Sequence, residues 1–480
     1  MTAPAAVVVG GSVAGLATAL ALAERGFAVR VLERSAPPPE GPAEKAAEDW
    51  HRPTVPQADH SHILNSLGVR VLRRSAPHLL ETLLQGGARL LDLTGAAPPG
   101  ADDAADRELE ALAVRRGVLE LLLHRAVSSL PEVTIDHGTA VRGLLLDPSR
   151  SRVRGVLTDG GGQVPARFVV DATGRRAAAR SWLTAAGFPV GDDLTDPTRL
   201  RCFTRFYRLT DPDGAPPGPL NRGNAAGGIW DHYAAVVHPA DNGSFAVALG
   251  SLTSDPATTV LRDPTAFTAA ARLSPHVAEW TGERAAAPIT DVRVITMPPN
   301  VLRATIRPGW RQPAGLFAVG DAACVTDPLY GRGVSLALDH AFRLAGLLDA
   351  HPTVGEPQTE LAVCLADEIH RPWYEQAVHD SRARGRLWRA RADGTPPPSV
   401  PPAAPGRPDL AEVARAAAAD ITVWRGLVRV LMGLETPAKI FDSAAFRQRV
   451  RAARPAPAAT GPRPPTRQEL LAALGTGRQE

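Results

Sequence analysis

The residues best suited to chemistry fall in three short stretches. The first is Gly10-Gly11-Ser12-Val13-Ala14-Gly15, followed by Glu33. Gly10 permits a tight turn, Ser12 is small enough for a phosphate to approach the backbone, and Gly15 allows a helix to pack closely on a strand. A helix N-terminus offers free N–H groups and a positive dipole end to phosphates. A carboxylate at Glu33 can accept from both hydroxyls of a ribose, which favours an adenosine without a 2′-phosphate, hence FAD or NAD over NADP. Arg34 follows it.

The second stretch is Asp171-Ala172-Thr173-Gly174-Arg175, and the third runs Gly320-Asp321, Pro328, then Gly331-Arg332-Gly333-Val334-Ser335. Both place an aspartate where an apolar run ends, at an edge where a parallel sheet meets ligands. Two glycines at a helix start are costly unless something approaches the backbone closely.

These groups need elements to position them. Residues 5–35 read as strand, turn, helix, strand, with Ala5–Val9 apolar enough for burial on both faces. Residues 36–59 read as a proline-rich loop, 60–87 as helical, and 114–130 as a second helix carrying Arg116. Strands are expected at 152–158, 167–171 and 316–319, and a long helix at 335–348. Between about 198 and 255 short alternating runs predict an antiparallel sheet inserted into the first unit. Residues 395–409 form a proline-rich linker before a helical tail. The expected architecture is α/β. A Rossmann-like dinucleotide-binding unit of glutathione-reductase type covers 1–75, 105–180 and 290–394. An antiparallel sheet unit for substrate covers 76–104 and 181–289, and a C-terminal helical region covers 410–480.

Composition narrows the function classes. The net charge is +3 and the hydrophobic fraction 44%, ordinary for a globular protein, and no basic run suggests nucleic acid. Lysine occurs only at Lys45 and Lys439. Cys202, Cys324 and Cys364 lie far apart, so neither a metal site nor a disulfide framework is expected. With no signal-peptide pattern and no apolar stretch near the roughly 20 residues that span a bilayer, a cytoplasmic, membrane-free protein is expected.

Taken together, in this order and spacing, Gly10–Gly15 with Glu33, the Asp171–Arg175 turn, and Gly320-Asp321 with Pro328 and Gly331–Ser335 resemble the FAD-dependent monooxygenases of the para-hydroxybenzoate hydroxylase fold. The segments 55–64, 116–120 and the tail look like a bacterial subgroup active in polyketide tailoring, so the resemblance covers nearly the whole chain. It implies FAD as cofactor and transfer of one oxygen atom from O2, through a flavin C4a-hydroperoxide, to a polyketide-like or aromatic small molecule by epoxidation or hydroxylation. It implies that Glu33 binds the adenosine ribose and that Arg116 lies near the ribityl and pyrophosphate region. Asp321 would bond the ribityl chain, and Pro328 would line the oxygen site. The N–H groups of Gly333, Val334 and Ser335 would face the N1–C2=O edge of the flavin ring, where reduced flavin carries negative charge that a helix N-terminus stabilises. Candidate acid–base or substrate groups are His60, His62, Arg205 and Tyr207, while Arg332 has no assigned role.

The turn Asp-Ala-Thr-Gly departs from the Asp-Gly turn of many aromatic hydroxylases that contact NADPH, so NAD(P)H serves either directly or through a separate flavin reductase. Halogenases of this fold use a lysine relay and a Trp-x-Trp-x-Ile-Pro segment. The tryptophan motif is absent here, and both lysines lie outside the expected strand. Two other readings stay open: a flavin-dependent reductase of isoprenoid-type double bonds, and a non-redox cyclase or binding protein with structural FAD. The chain is expected to act as a monomer or homodimer.

Overall fold

The structure, a computed structural model, describes residues 5–397, 402–453 and 463–475; part of the proline-rich linker, 398–401, lies outside them. A five-stranded parallel sheet has the spatial order Leu316–Ala318, Phe168–Asp171, Ala6–Val9, Val29–Glu33, Val133–His137. The continuous apolar run at Ala6–Val9 has a direct explanation. Ala6 and Val8 face one core, shared with Leu16 and Leu20 of the helix Val13–Ala23, and Val7 and Val9 face another, shared with Trp182 and Leu183. A strand buried on both faces has no position for a polar side chain.

The parallel register has a functional consequence. Val9 lies level with Leu32 and with Asp171, and Ala318 is also level with Asp171. Four strand ends therefore coincide at one sheet edge, and Gly10, Glu33, the Asp171 turn and Gly320 become neighbours despite sequence separations of up to about three hundred residues.

A second, antiparallel sheet has the order Ala226–Ile229, Ala234–Pro239, Ser244–Leu252, Leu200–Leu209, Ala286–Pro288, with Arg293–Thr296 also pairing Leu200–Leu209. Its strands fall between Phe168–Asp171 and Leu316–Ala318 in the chain, as an insertion requires. One face packs Phe203, Phe245, Leu249 and Trp280 into a separate core.

Several elements differ from the sequence-based expectation. The segment 60–87 is not one helix. Residues 60–65 are irregular, and Pro77 starts a second helix, Pro77–Gln85, after Ser66–Ser75. Proline lacks the N–H that a continuing helix needs and is well placed in a first turn. Leu79, Leu80 and Leu83 of that second helix join the core of the parallel sheet, so 77–85 side with it and not with the antiparallel unit. The tail divides as well. Val413, Val423 and Trp424 pack on the parallel-sheet core, whereas Leu470 and Leu474, at the last helix Arg467–Ala473, pack on the antiparallel-sheet core. Asp420 breaks the run 410–431 by capping the second of two helices through the N–H groups of Thr422 and Val423.

Candidate cofactor and substrate site

Gly10, Ser12, Val13 and Ala14 line one end of a cavity of about 480 Å3. Gly10 has φ +109, and a Cβ there would sit 2.4 Å from the Ala172 carbonyl oxygen; a Cβ at Gly15 would sit 1.8 Å from the Gly10 carbonyl oxygen. Gly15 therefore acts outside the cavity, by letting the helix approach the turn. Ser12 caps the helix without a side-chain hydrogen bond, so the first-turn N–H groups stay open toward the cavity. Glu33 is 8% exposed and accepts from the N–H groups of Gly11 at 2.6 Å and Ser35 at 2.7 Å. Burial opposes its ionisation, yet these donors hold the carboxyl below the usual range. Arg34, beside it, lines the cavity at an exposed position.

Arg116 opens the helix Arg116–Ser128 and reaches Ser12 Oγ at 3.2 Å and Glu120 at 3.4 Å. Glu120 also takes Arg52 at 2.5 Å, with Arg52 stacked on Trp50. Arg52 and Gln57 come from the proline-rich loop, where no periodicity marks them, and both line the cavity.

Asp171 and Thr173 behave differently from each other. Asp171 is fully buried and accepts from Thr173 N, Thr173 Oγ1 and Ala179 N at 2.6 to 2.9 Å, so its carboxylate braces the turn and does not face a ligand. Thr173 and Gly174 reach the cavity wall. Asp321 lines the cavity and has no hydrogen-bond partner among the described residues. Burial raises its pKa, against the pull of Arg116, Arg175 and Arg303. Gly320 has φ +59, and a Cβ there would lie 2.7 Å from Ala14 Cβ.

The long helix Gly333–Ala350 starts at the cavity wall, with no side-chain cap at Arg332. A Cβ at Gly333 would meet nothing within 4 Å. The helix start thus presents bare N–H groups to open space, room that a planar ring edge can take. Val334 lines the cavity; Ser335 is buried behind it with an unpartnered Oγ. Gly331 has φ +61, and Asn65 Nδ2 donates to the Tyr330 carbonyl at 3.0 Å, tying this turn to the segment 60–65. Pro328 is on the cavity wall; Asp327 before it takes Ser381 Oγ at 2.7 Å and the Arg384 guanidinium, and its N–H donates to Asn300 at 2.6 Å. Arg332 points neither to solvent nor into the cavity. It is 2% exposed and sits 4.8 Å from the Tyr330 ring and 4.9 Å from the Trp373 ring.

The far wall is the antiparallel sheet. Cys202, Gly250 and Ala234 are in register across three strands, as are Thr204, Ala248 and Val236. These small side chains leave the room. Arg205 is in register with Val247 and Val237, which belong to the core on the other face, and it donates to the Thr290 carbonyl at 3.0 Å. The strand period of two thus removes Arg205 from the site, correcting its expected catalytic place, and Tyr207 shares that outer face, stacked on Phe245. His62 does line the cavity, with Nδ1 2.8 Å from the His60 carbonyl. Nδ1 must carry the proton, leaving Nε2 as an acceptor. Burial, with Arg116 next, pushes its pKa down to about 3, so the ring is neutral near pH 7 and does not serve as an acid. His60 and His238 are pushed down to about 4, again by burial first. His238, with Ser61 Oγ 2.8 Å from its Nδ1, had no sequence signal, because only the folded sheet turns it inward.

The donor set fits FAD: a carboxylate for a ribose, open helix N–H groups for phosphates, an unpartnered Asp321, and a bare helix start with space before it. Among the described residues no cluster suits a metal ion, and no helix is long and apolar enough to cross a membrane.

Comparison with known proteins agrees. The family described as FAD binding domain matches residues 3–361. Protein Rv3254 of Mycobacterium tuberculosis is 28% identical over 412 residues, 78% of this chain and 80% of that protein. Among solved structures, p-nitrophenol 4-monooxygenase PnpA of Pseudomonas putida superposes with a TM-score of 0.60 at 18% identity, covering 90% of this chain and 98% of that one. PqsL, a probable FAD-dependent monooxygenase of Pseudomonas aeruginosa, has a TM-score of 0.58 at 17% identity, covering 82% and 99%. At these identities the two structures share the fold.

Proposed function

The chain belongs to the FAD-binding domain family, and we propose that it is a FAD-dependent monooxygenase that transfers one oxygen atom of O2 to a small organic molecule. The observation that carries this reading is one continuous cavity. It runs from Gly10 and Glu33, past Asp321 and Gly333, to Cys202, Val236 and Met297 of the antiparallel unit. FAD bound there supplies the redox chemistry with O2. The chain's own residues do the rest. Glu33 takes the ribose hydroxyls, the N–H groups of Val13 and Ala14 face the pyrophosphate, and Asp321 accepts from the ribityl hydroxyls. The helix start at Gly333 and Val334 holds negative charge through its dipole and free N–H groups. Pro328 and Leu329 cover that region, kept in place by Asp327. Apolar walls from Ile229, Ile295 and Met297 exclude water, which protects the oxygen-transfer step from hydrolysis. Neutral His62 offers Nε2 as a hydrogen-bond acceptor for a substrate hydroxyl.

The resemblance of the three motifs, and a fold shared with PnpA, support epoxidation or hydroxylation of an aromatic or polyketide-like molecule as the specific outcome. The reductant is NAD(P)H, directly or through a flavin reductase. The test supplies reduced, FAD-loaded protein with 18O2 and a panel of phenolic and polyketide substrates, with product mass as the readout. A product carrying one 18O atom is expected. A product that gains two hydrogens and no oxygen identifies a double-bond reductase instead, and turnover without any reductant identifies a non-redox enzyme; either overturns the proposal.

A further inference from the structure

The cavity wall carries several arginines, and most are accounted for. Arg52 and Arg116 share Glu120, Arg175 donates to Gln57, and Arg34 and Arg176 are at exposed positions. Arg222 is different. It lines the cavity on the side of the antiparallel sheet and has neither hydrogen-bond acceptor nor carboxylate partner for its guanidinium among the described residues. Burial lowers its pKa, and among the described residues Tyr330 is the group that counters this. Tyr330 cannot serve as the counterion, because burial, followed by Asp380, pushes its phenol well above the usual range and keeps it neutral. His238, the other close titratable group, is held neutral by burial and by Arg222 itself.

The position of Arg222 is built. Asn221 clasps Gly227 at both ends, accepting from its N–H at 2.8 Å and donating to its carbonyl at 3.1 Å. Arg222 N donates to Ala225 O at 3.0 Å, and Gly223 turns the chain at φ +78, where a Cβ would lie 2.6 Å from Leu93 Cα. A turn held this tightly keeps the guanidinium stem in one place. Arg222 is half-buried, and its guanidinium lines the cavity with no anion beside it among the described residues, so it is free to take an anionic ligand. Its planar fork matches a carboxylate with two parallel N–H donors.

Resting on the oxygenase reading above, the geometry points to Arg222 as the anchor for a substrate carboxylate, with the apolar body of that substrate lying along Val236, Ala248 and Met297 toward Gly333. His238, which feels the charge of Arg222, and Ser61, bonded to His238, line the same cavity and add polar groups at that end. The substrate class is therefore an amphipathic monocarboxylate: one anionic end held by Arg222, and an unsaturated or aromatic end presented to the flavin region.

Calorimetric titration of the FAD-loaded protein with 2-naphthoate and with neutral 2-naphthamide tests this without reductant or O2, so it reads separately from oxygen transfer. The wild-type protein is expected to bind 2-naphthoate ~10-fold or more tighter than the amide, as a charge-assisted bidentate contact requires. Arg222→Gln should erase that preference while keeping flavin content and amide affinity; Arg222→Lys, which keeps the charge but loses the fork, should retain part of it. Equal affinity for the two probes in the wild-type protein, including binding of neither, overturns the assignment. So does a preference that survives in Arg222→Gln.

Discussion

Replacing Gly333 by valine separates the role of the helix start from its part in the fold. An ideal Cβ at Gly333 meets no atom within 4 Å, and its backbone does not lie in the left-handed region, so the side chain enters free space without strain. Within a helix, glycine is less favourable than other non-proline residues by up to about 1 kcal/mol, so folding stability should hold or rise slightly. The cost falls on the ligand. The two Cγ methyls reach into the space where a ring edge meets the N–H groups of Gly333 and Val334. Losing one or two hydrogen bonds to the neutral edge of oxidised FAD, at ~0.5–1.5 kcal/mol each, weakens FAD affinity by about 2- to 150-fold. The assay is flavin retained after gel filtration, with fluorescence titration of FAD into the apoprotein, beside thermal unfolding of the same apoprotein. A variant with an unchanged melting temperature and sharply weakened FAD binding agrees with the argument. If Gly333→Val binds FAD with the wild-type spectrum and affinity, the ring does not meet the helix start, and the reasoning fails.

Glu33→Ala should lose flavin on gel filtration, because both the ribose acceptor and the partner of the Gly11 and Ser35 N–H groups disappear; full retention of FAD would count against that role. The same carboxyl has a folded pKa below its unfolded value. Its contribution is present above the unfolded pKa, about 4.3, and is lost as pH falls through the lower folded pKa, so acid release of FAD through Glu33 should begin only below the ordinary carboxylate range. Histidines act at milder pH. His60, His62 and His238 have folded values of about 4, 3 and 4, so unfolded chains bind more protons below their usual value of about 6.5. Stability should fall by up to ~1.4 kcal/mol per pH unit per histidine from pH 6.5 toward pH 4.5, and urea unfolding should show a shallower slope in His238→Gln. An identical slope would mean that His238 is not buried neutral. Arg384→Ala leaves the fully buried Asp327 without its cation and should destabilise by ~3 kcal/mol in denaturant unfolding, together with a weaker flavin site through the Pro328 turn. A loss under about 1 kcal/mol would show that Ser381 and the Leu329 N–H suffice.

Much of the cofactor half is visible in the sequence because its chemistry is local. Turn, helix start and strand-end carboxylate lie within residues 10–33, and each requirement names a residue type: no Cβ at Gly10 and Gly15, a small Ser12, an acid at Glu33. The same holds for Gly320-Asp321 and Gly331-Arg332-Gly333. Local pattern also misleads where two roles use one residue type. Asp171 and Asp321 both end apolar strands, yet one carboxylate is spent on its own turn and the other is open to the cavity.

By itself the sequence determined the dinucleotide-binding unit, the inserted antiparallel sheet and the glycine turns at the sheet edge, because those features depend on neighbours in the chain. Tertiary structure decided the substrate half. Which face of Leu200–Leu209 turns inward is settled by pairing register, which brings Cys202 to the cavity and sends Arg205 to the other core. Arg332 is enclosed by Tyr330 and by Trp373, a residue of the helix Glu356–Ala392. Arg222 stands out only through what surrounds it: a half-buried cation on the cavity wall with no counterion among the described residues, and no stretch of sequence records which charges fail to meet.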